Sequence, residues 1–207
     1  MSVLIGLTGQ TGAGKTTAAK AMTGAYGEEW LVHIDCDKVT RNIISEDAQT
    51  YEDILAKFPE FFTEGSFDRR KAASLLFSDK ELLERYDAAI FPHITRRING
   101  IIEDIESDFA VRGEGMILLD APTLFESGID SLCDFIVSCI APAEVRVKRI
   151  TARDGITEEQ AKARIASQHG DEFFRQRSDY VIENKGSEQE LTDAAVKIID
   201  DIAERAV

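Results

Sequence analysis

Residues 9–16 read Gly9-Gln10-Thr11-Gly12-Ala13-Gly14-Lys15-Thr16, a fit to the pattern G-x-x-x-x-G-K-[ST]. The stretch follows directly on an apolar run, residues 2–8 (SVLIGLT), and leads directly into an Ala- and Lys-rich stretch, residues 15–23, that reads as a helix. Strand, glycine loop, helix is the context such a pattern needs. The glycines let the backbone wrap closely around phosphate with several N–H groups turned inward, and the following helix offers its positive N-terminal end to the same anion. The expected phosphate ligands are Gly9, Gly12, Ala13, Gly14, Lys15, Thr16 and Thr17. Lys15 is expected to reach the β- and γ-phosphates of a nucleoside triphosphate, and the Thr16 hydroxyl to take a position on Mg²⁺. A plain glycine turn is the alternative, and the flanking strand and helix argue against it.

Working outward, residues 31–35 (LVHID), 116–120 (MILLD), 134–140 (DFIVSCI) and 179–183 (DYVIE) read as four further buried strands, with helical stretches between them. Strands alternating with helices predict an α/β fold with a five-stranded parallel sheet. The long segment of about residues 36–115 has no convincing strand. Ser78 with Glu81 reads as a capping box opening a long helix to about residue 106, its apolar stripe made by Ile90, Ile94, Ile98, Ile101, Ile102 and Ile105. A further helix is expected from near Pro142 to Asp154-Gly155. Thr157 with Gln160 caps the next, and Ser187 with Glu190 caps the last, which buries Leu191, Ala195, Ile198, Ile199 and Ile202. The expected division is one domain: a core of about 1–45 and 115–207, a helical insertion of about 46–114, and a small lid of about 150–177.

The 207 residues carry a net charge of −14. That field repels polyanions, so general nucleic-acid or anionic-membrane binding is not expected, and a phosphate ligand needs a local, built site. No apolar run approaches the length of a membrane span. Cys36, Cys133 and Cys139 are odd in number and contain no C-x-x-C pair, which indicates neither a disulfide framework nor a zinc knuckle. The first residues lack a basic stretch and do not read as a signal peptide, so the cytoplasm is the expected compartment. A monomer is the expectation, with an oligomer left open.

The second strand ends in Asp35-Cys36-Asp37, at the edge where open parallel sheets bind ligands. A carboxylate there can accept a proton from an attacking hydroxyl. Equally, either Asp can cap a helix starting near Lys38. Asp120 ends the third strand and could hold Mg²⁺ through water or simply open the turn before Pro122. Arg146, Arg149 and Arg153 share one helix face, either awaiting an anion or forming a solvated face balanced by Glu144 and Asp154. His33, His93 and His169 lack metal-ligand spacing. A guanine-reading N-K-x-D would need Asp at 187, where Ser stands, and Asp120, followed by Ala121-Pro122-Thr123, does not open a D-x-x-G, so a regulatory GTPase is not indicated. Other readings are a switch or binding module without an acceptor, and a kinase for another nucleotide or small metabolite.

Several stretches together resemble dephospho-coenzyme A kinases. Residues 4–17 (LIGLTGQTGAGKTT) are similar to that family's L-T-G-G-I-G-S-G-K-S-T, and 34–41 (IDCDKVTR) to its I-D-A-D-x-x-A-R. Residues 65–77 (GSFDRRKAASLLF), 122–130 (PTLFESGID), 149–168 (RITARDGITEEQAKARIASQ) and 178–191 (SDYVIENKGSEQEL) resemble further family blocks, in order and with matching gaps. The resemblance implies a P-loop kinase core of five parallel strands, a helical substrate-binding insertion and a small helical lid. It implies that ATP, with Mg²⁺, phosphorylates the ribose 3′-hydroxyl of dephospho-coenzyme A. It implies Asp37 as the base, Lys15, Arg149 and Arg153 on the transferring phosphoryl group, and Thr16 and Asp120 as metal ligands. Phe125 and the insertion would contact the acceptor, with packing an equal alternative for Phe125. The chain departs from the family at Phe91-Pro92-His93, where His-Pro is usual, so no role is carried to His93. The acidic pair Asp171-Glu172 in the lid leaves open whether Arg175 or Arg177 reaches phosphate.

Overall fold

The computed structural model describes residues 2–205. Its main sheet has five parallel strands in the order β2-β5-β1-β6-β7. These are β1 (Val3–Gly9), β2 (Leu31–Asp35), β5 (Met116–Asp120), β6 (Phe135–Ile140) and β7 (Tyr180–Glu183). All five expected strands are present within a residue or so of their predicted ends. The central strand β1 is buried from Leu4 to Gly9 and β5 along its whole length, as continuous apolar runs between two covered faces should be.

Contacts divide the chain into two compact units. The sheet unit runs to Asp35 and resumes at Ile105; the helical unit is Cys36–Asp104. The helical unit thus takes in residues 36–45, which the expected division of about 46–114 leaves with the core. In the sheet unit, α1 (Lys15–Tyr26) and α9 (Glu188–Arg205) pack on one face. Ala18, Ala19 and Met22 of α1 and Leu191, Ala195, Ile199 and Ile202 of α9 meet Ile5, Leu7, Leu118 and Val137 of the sheet in one buried cluster. After β6 come α6 (Ala143–Asp154), α7 (Glu158–Ala166) and α8 (Asp171–Arg177). Helices α6 and α7 join through Val147, Ile150 and Ala161.

Both later capping boxes form. Gln160 N–H donates to Thr157 Oγ1 at 3.3 Å and Thr157 N–H to Gln160 Oε1 at 3.0 Å; Ser187 and Glu190 exchange the equivalent pair at 2.7 and 3.2 Å. The expected Ser78 box does not. Ser78 ends α4 (Arg69–Ser78), where its hydroxyl donates to Ser74 O and Leu75 O, and Asp79 caps α5 (Lys80–Arg112) by accepting from Leu82 N–H at 3.0 Å. Asp is as good a cap as Ser, and one residue decides it. Helix α5 buries Ile90, Ile94, Ile98 and Ile102, as the stripe predicts, and contains Pro92.

The helical unit also holds α2 (Cys36–Glu46), α3 (Ala48–Lys57) and a two-residue hairpin of β3 (Phe62–Thr63) and β4 (Ser66–Phe67), which strand-scale periodicity does not reveal. Its centre is aromatic: Phe58 stacks on Phe61 at 5.3 Å, and Tyr86 meets both edge-on. His93 is buried and contacts Asp53 Oδ2 through Nε2 at 2.9 Å. Among the described residues no helix is long and apolar enough to cross a membrane.

Candidate active site

The glycine loop sits at the carboxyl end of β1, between β5 and β6. Gly9, Gly12 and Gly14 have φ of 142°, 76° and 101°, values that disfavour side chains. A Cβ on Gly9 would strike the Cys139 backbone, and one on Gly14 the Asn184 side chain. Glycine is thus required here both by backbone angle and by space.

The carbonyl groups of residues 10–14 are all engaged. Gln10 O accepts from Ala13 N–H at 3.0 Å and Gly14 O from Ala18 N–H at 3.0 Å. Thr11 O accepts from Arg146 Nε at 2.9 Å, Gly12 O from Arg149 Nη1 at 3.2 Å, and Ala13 O from Asn184 Nδ2 at 2.8 Å. In a trans peptide the carbonyl and the next N–H point in opposite directions. Fixing the carbonyls of Thr11, Ala13 and Gly14 onto these partners therefore turns the amides of Gly12, Gly14 and Lys15 to the other side. The amides of Lys15, Thr16 and Thr17 also have no acceptor within α1, being its first turn. These donors and the helix dipole make an anion cradle.

Lys15 Nζ is ion-paired with Asp120 Oδ1. The other carboxylate oxygen of Asp120 lies 3.4 Å from His33 Nε2. Burial, the largest influence, works to raise the Asp120 carboxyl; the His33 contact and the Lys15 charge outweigh it and hold the group below its ordinary 3.8. His33 is therefore tied to the site rather than a bystander on its strand. Asp35 stands opposite Asp120 in the β2–β5 register.

The three arginines of α6 separate. Arg146 is 3% exposed, not part of a solvated face. Besides Thr11 O, it donates from Nη2 to Gln168 Oε1 at 2.7 Å. Burial pulls its guanidinium below the ordinary value, and the Asp171 carboxylate opposes that. Arg149 reaches the loop and also donates from Nη2 to Asn184 Oδ1 at 3.1 Å. Arg153 instead grips Asp154 with Nε at 2.7 Å and Nη2 at 3.0 Å, and Asp154 also takes Arg164 Nη1 at 2.5 Å.

The α7–α8 junction is tied to the loop as well. Thr11 N–H donates to Gln168 Oε1 at 3.0 Å, and Gln10 Nε2 to Asp171 Oδ1 at 2.8 Å. Gln168 and Asn184 are the site residues to which sequence reasoning gave no role, and Arg146 was left open between an anion and a solvated face; their contacts with the loop span 135 or more residues of chain, which nothing local marks. Of the lid arginines, Arg175 pairs with Glu183 at 2.5 Å and Arg177 lies 4.3 Å over the Phe173 ring. Phe125 packs edge-on against the same ring at 5.3 Å, the packing alternative. Asp37 lies in the first turn of α2, which starts two residues before the expected Lys38, so Asp37 does not precede that helix as a cap would.

The family model described as dephospho-CoA kinase matches residues 3–190. The chain belongs to the dephospho-CoA kinase family. The dephospho-CoA kinase of Corynebacterium diphtheriae is 35% identical over 192 residues, 91% of each chain. A crystal structure of a Thermus thermophilus protein superposes with a TM-score of 0.77 at 31% identity, covering 97% of both chains. The solved structure of the dephospho-CoA kinase from Campylobacter jejuni gives 0.70 at 25% identity over the full length of both.

A divalent cation has a narrow choice of ligands. Among the described residues no three His, Cys, Asp or Glu side chains cluster as a metal cage. The hydroxyl of exposed Thr16 and the carboxylate of Asp120 are hard oxygen donors at the loop. Such a sparse set suits Mg²⁺, which keeps waters and binds mostly through substrate phosphates.

Proposed function

We propose that the protein transfers the γ-phosphoryl group of ATP to the 3′-hydroxyl of dephospho-coenzyme A, the last step of coenzyme A formation. The observation that carries this reading is the loop with its carbonyls turned away and Lys15 set beside it on Asp120, in a chain matched to this family over residues 3–190. An entering triphosphate offers Lys15 a richer anion than Asp120 does, so Lys15 moves onto the phosphates. Asp120, released, and Thr16 would then hold Mg²⁺. Bound there, Mg²⁺ would neutralise charge on the phosphate oxygens.

Asp37 is assigned as the base. It lies two residues past Asp35, whose strand position faces Asp120. The acceptor hydroxyl gives its proton to the Asp37 carboxylate as its oxygen attacks the γ-phosphorus, and ADP leaves on the opposite side. Negative charge spread over the equatorial oxygens is met by Lys15, Arg149 and Arg153. Arg149 already reaches the loop, donating to Gly12 O and to Asn184 Oδ1, and among the described residues these take two of its five N–H groups. Arg153 must exchange Asp154 for phosphate, a change we assign to movement of the lid, about residues 150–177. Exclusion of water by the lid limits ATP hydrolysis. With three free cysteines and a net charge of −14, the protein is assigned to the cytosol, acting on small molecules and not on nucleic acid.

The test is mass-spectrometric detection of coenzyme A after incubation with ATP, Mg²⁺ and dephospho-coenzyme A. Preference for a nucleoside monophosphate as acceptor would refute the assignment.

A further inference from the structure

We infer that Arg146, Gln168 and Asn184 are positioning residues for phosphoryl transfer: they hold the glycine loop with its carbonyls averted from the triphosphate, and Gln168 joins that loop to the foot of the lid. The inference rests on the triphosphate-binding reading of the loop.

A backbone that binds polyanions faces a conflict. Each peptide carries a carbonyl as strongly dipolar as its N–H, and a carbonyl turned toward phosphate repels it. Glycines make the loop able to adopt the right orientation and equally able to leave it. Something must choose between peptide orientations, and here side chains from three other segments do so. Arg146 Nε takes Thr11 O at 2.9 Å, and Asn184 Nδ2 takes Ala13 O at 2.8 Å. Gln168 Oε1 takes Thr11 N–H at 3.0 Å, so both peptide units of Thr11 are fixed. Arg146 Nη2 closes the triangle by donating to the same Gln168 oxygen at 2.7 Å. Arg146 and Asn184 are each 3% exposed, so water is a poor substitute for either.

The arrangement has a second consequence. Gln168 follows directly on α7, and Asp171, which accepts from Gln10 Nε2, opens α8. The α7–α8 junction is therefore held to the loop, and the orientation of Thr11 and the position of that junction are set together.

The test uses inorganic tripolyphosphate, a probe with no adenine and no acceptor, by calorimetry on the full chain. Arg146→Met keeps the side-chain stem and removes the donors. Asn184→Asp keeps shape and turns an acceptor on the Ala13 carbonyl. Each is expected to weaken tripolyphosphate binding about tenfold or more, as loss of a buried hydrogen bond would, while the KM for dephospho-coenzyme A changes less than twofold. Arg146→Lys restores charge but not the fork that spans Thr11 O and Gln168 Oε1, and is expected not to rescue. The Arg146→Met and Gln168→Ala losses are expected to be non-additive, because the two residues share one contact. Where a buried variant fails to fold, the partly exposed Gln168→Ala carries the test. Folded variants that bind tripolyphosphate within twofold of the wild type would overturn the inference, as would full rescue by Lys. If the wild type makes coenzyme A and the variants bind normally, the positioning role alone fails; if the wild type makes none, tripolyphosphate affinity still decides the positioning role.

Discussion

Replacing Asp120 by Asn isolates the ion pair at the loop that an entering triphosphate must break. The Lys15 and Asp120 side chains are 16% and 8% exposed, so the pair is largely out of water. Removing one partner of such a pair leaves a buried charge unmatched, at a cost of about 3–5 kcal/mol. The lower end, about 3 kcal/mol, applies here, because Lys15 keeps some solvent and Asn can still accept a hydrogen bond from it. For a chain of this size about 1 kcal/mol corresponds to about 2–4 °C, so Asp120→Asn should melt about 6–12 °C below the wild type. Saturating tripolyphosphate without Mg²⁺ should close most of that gap. In the loaded protein Lys15 has left Asp120 in either form, so the two start from unequal free states and arrive at similar bound ones. The same difference, read as affinity, makes the variant bind Mg²⁺-free tripolyphosphate more tightly, by up to about 100-fold. Scanning calorimetry with and without ligand measures both. A variant as stable as the wild type, or a gap that ligand leaves unchanged, would refute the exchange of Lys15 between carboxylate and phosphate.

Asp37→Asn should bind ATP nearly as the wild type does and lose transfer by about 10²–10⁴-fold; an unchanged turnover number removes Asp37 as the base. Asp154 is held at about 2, chiefly by hydrogen bonds from Arg153 and also by Arg164, against an ordinary 3.8. A depressed carboxyl contributes stability that is complete above 3.8 and lost as pH falls toward 2, so Asp154→Asn should flatten the acid limb of a urea-midpoint-against-pH curve in that window. Cys139 is buried and its thiol is pushed up to about 12, whereas Cys133 is half-buried; DTNB should label Cys133 first and Cys139 only on unfolding, and early labelling of Cys139 counts against the β6 packing. Because the loop's cations are matched by Asp120, Asp154 and Asp171 in a chain of net charge −14, the ATP association rate should rise with salt as the screening length shrinks from about 30 to about 8 Å between 0.01 and 0.15 M; a fall in stopped-flow measurements would mean a net attractive field at the loop.

What was legible in the sequence was whatever local chemistry decides. A glycine loop between an apolar run and a helix fits a phosphate cradle, and five apolar runs announce themselves by composition, so β1 with residues 9–16 and the parallel sheet could be read directly. Capping boxes are likewise three-residue affairs, and Thr157–Gln160 and Ser187–Glu190 form as written. Ser78 failed because a neighbour, Asp79, offers a better-placed oxygen to the same helix, and spacing alone does not rank two adjacent caps. The α6 arginines show the deeper limit. Their i, i+3, i+7 spacing puts three cations on one face, but spacing says nothing of what that face meets. In the fold Arg146 and Arg149 meet carbonyls of the loop, while Arg153, one turn on, grips Asp154. Asn184 was legible only as a broken guanine-reading motif, although its side chain holds Ala13 from 171 residues away. The acidity of the chain and its anion site are reconciled at this level. In the proposed site the cradle itself is made of main-chain amides, which carry no net charge and leave the composition untouched, and in the free protein the cations nearest them act on the loop's carbonyls or are matched by aspartates. A count of Lys and Arg therefore cannot find such a site, whereas the glycine spacing can, and the side chains that orient it emerge only when the fold brings α6, the α7–α8 junction and the residue after β7 against residues 10–13.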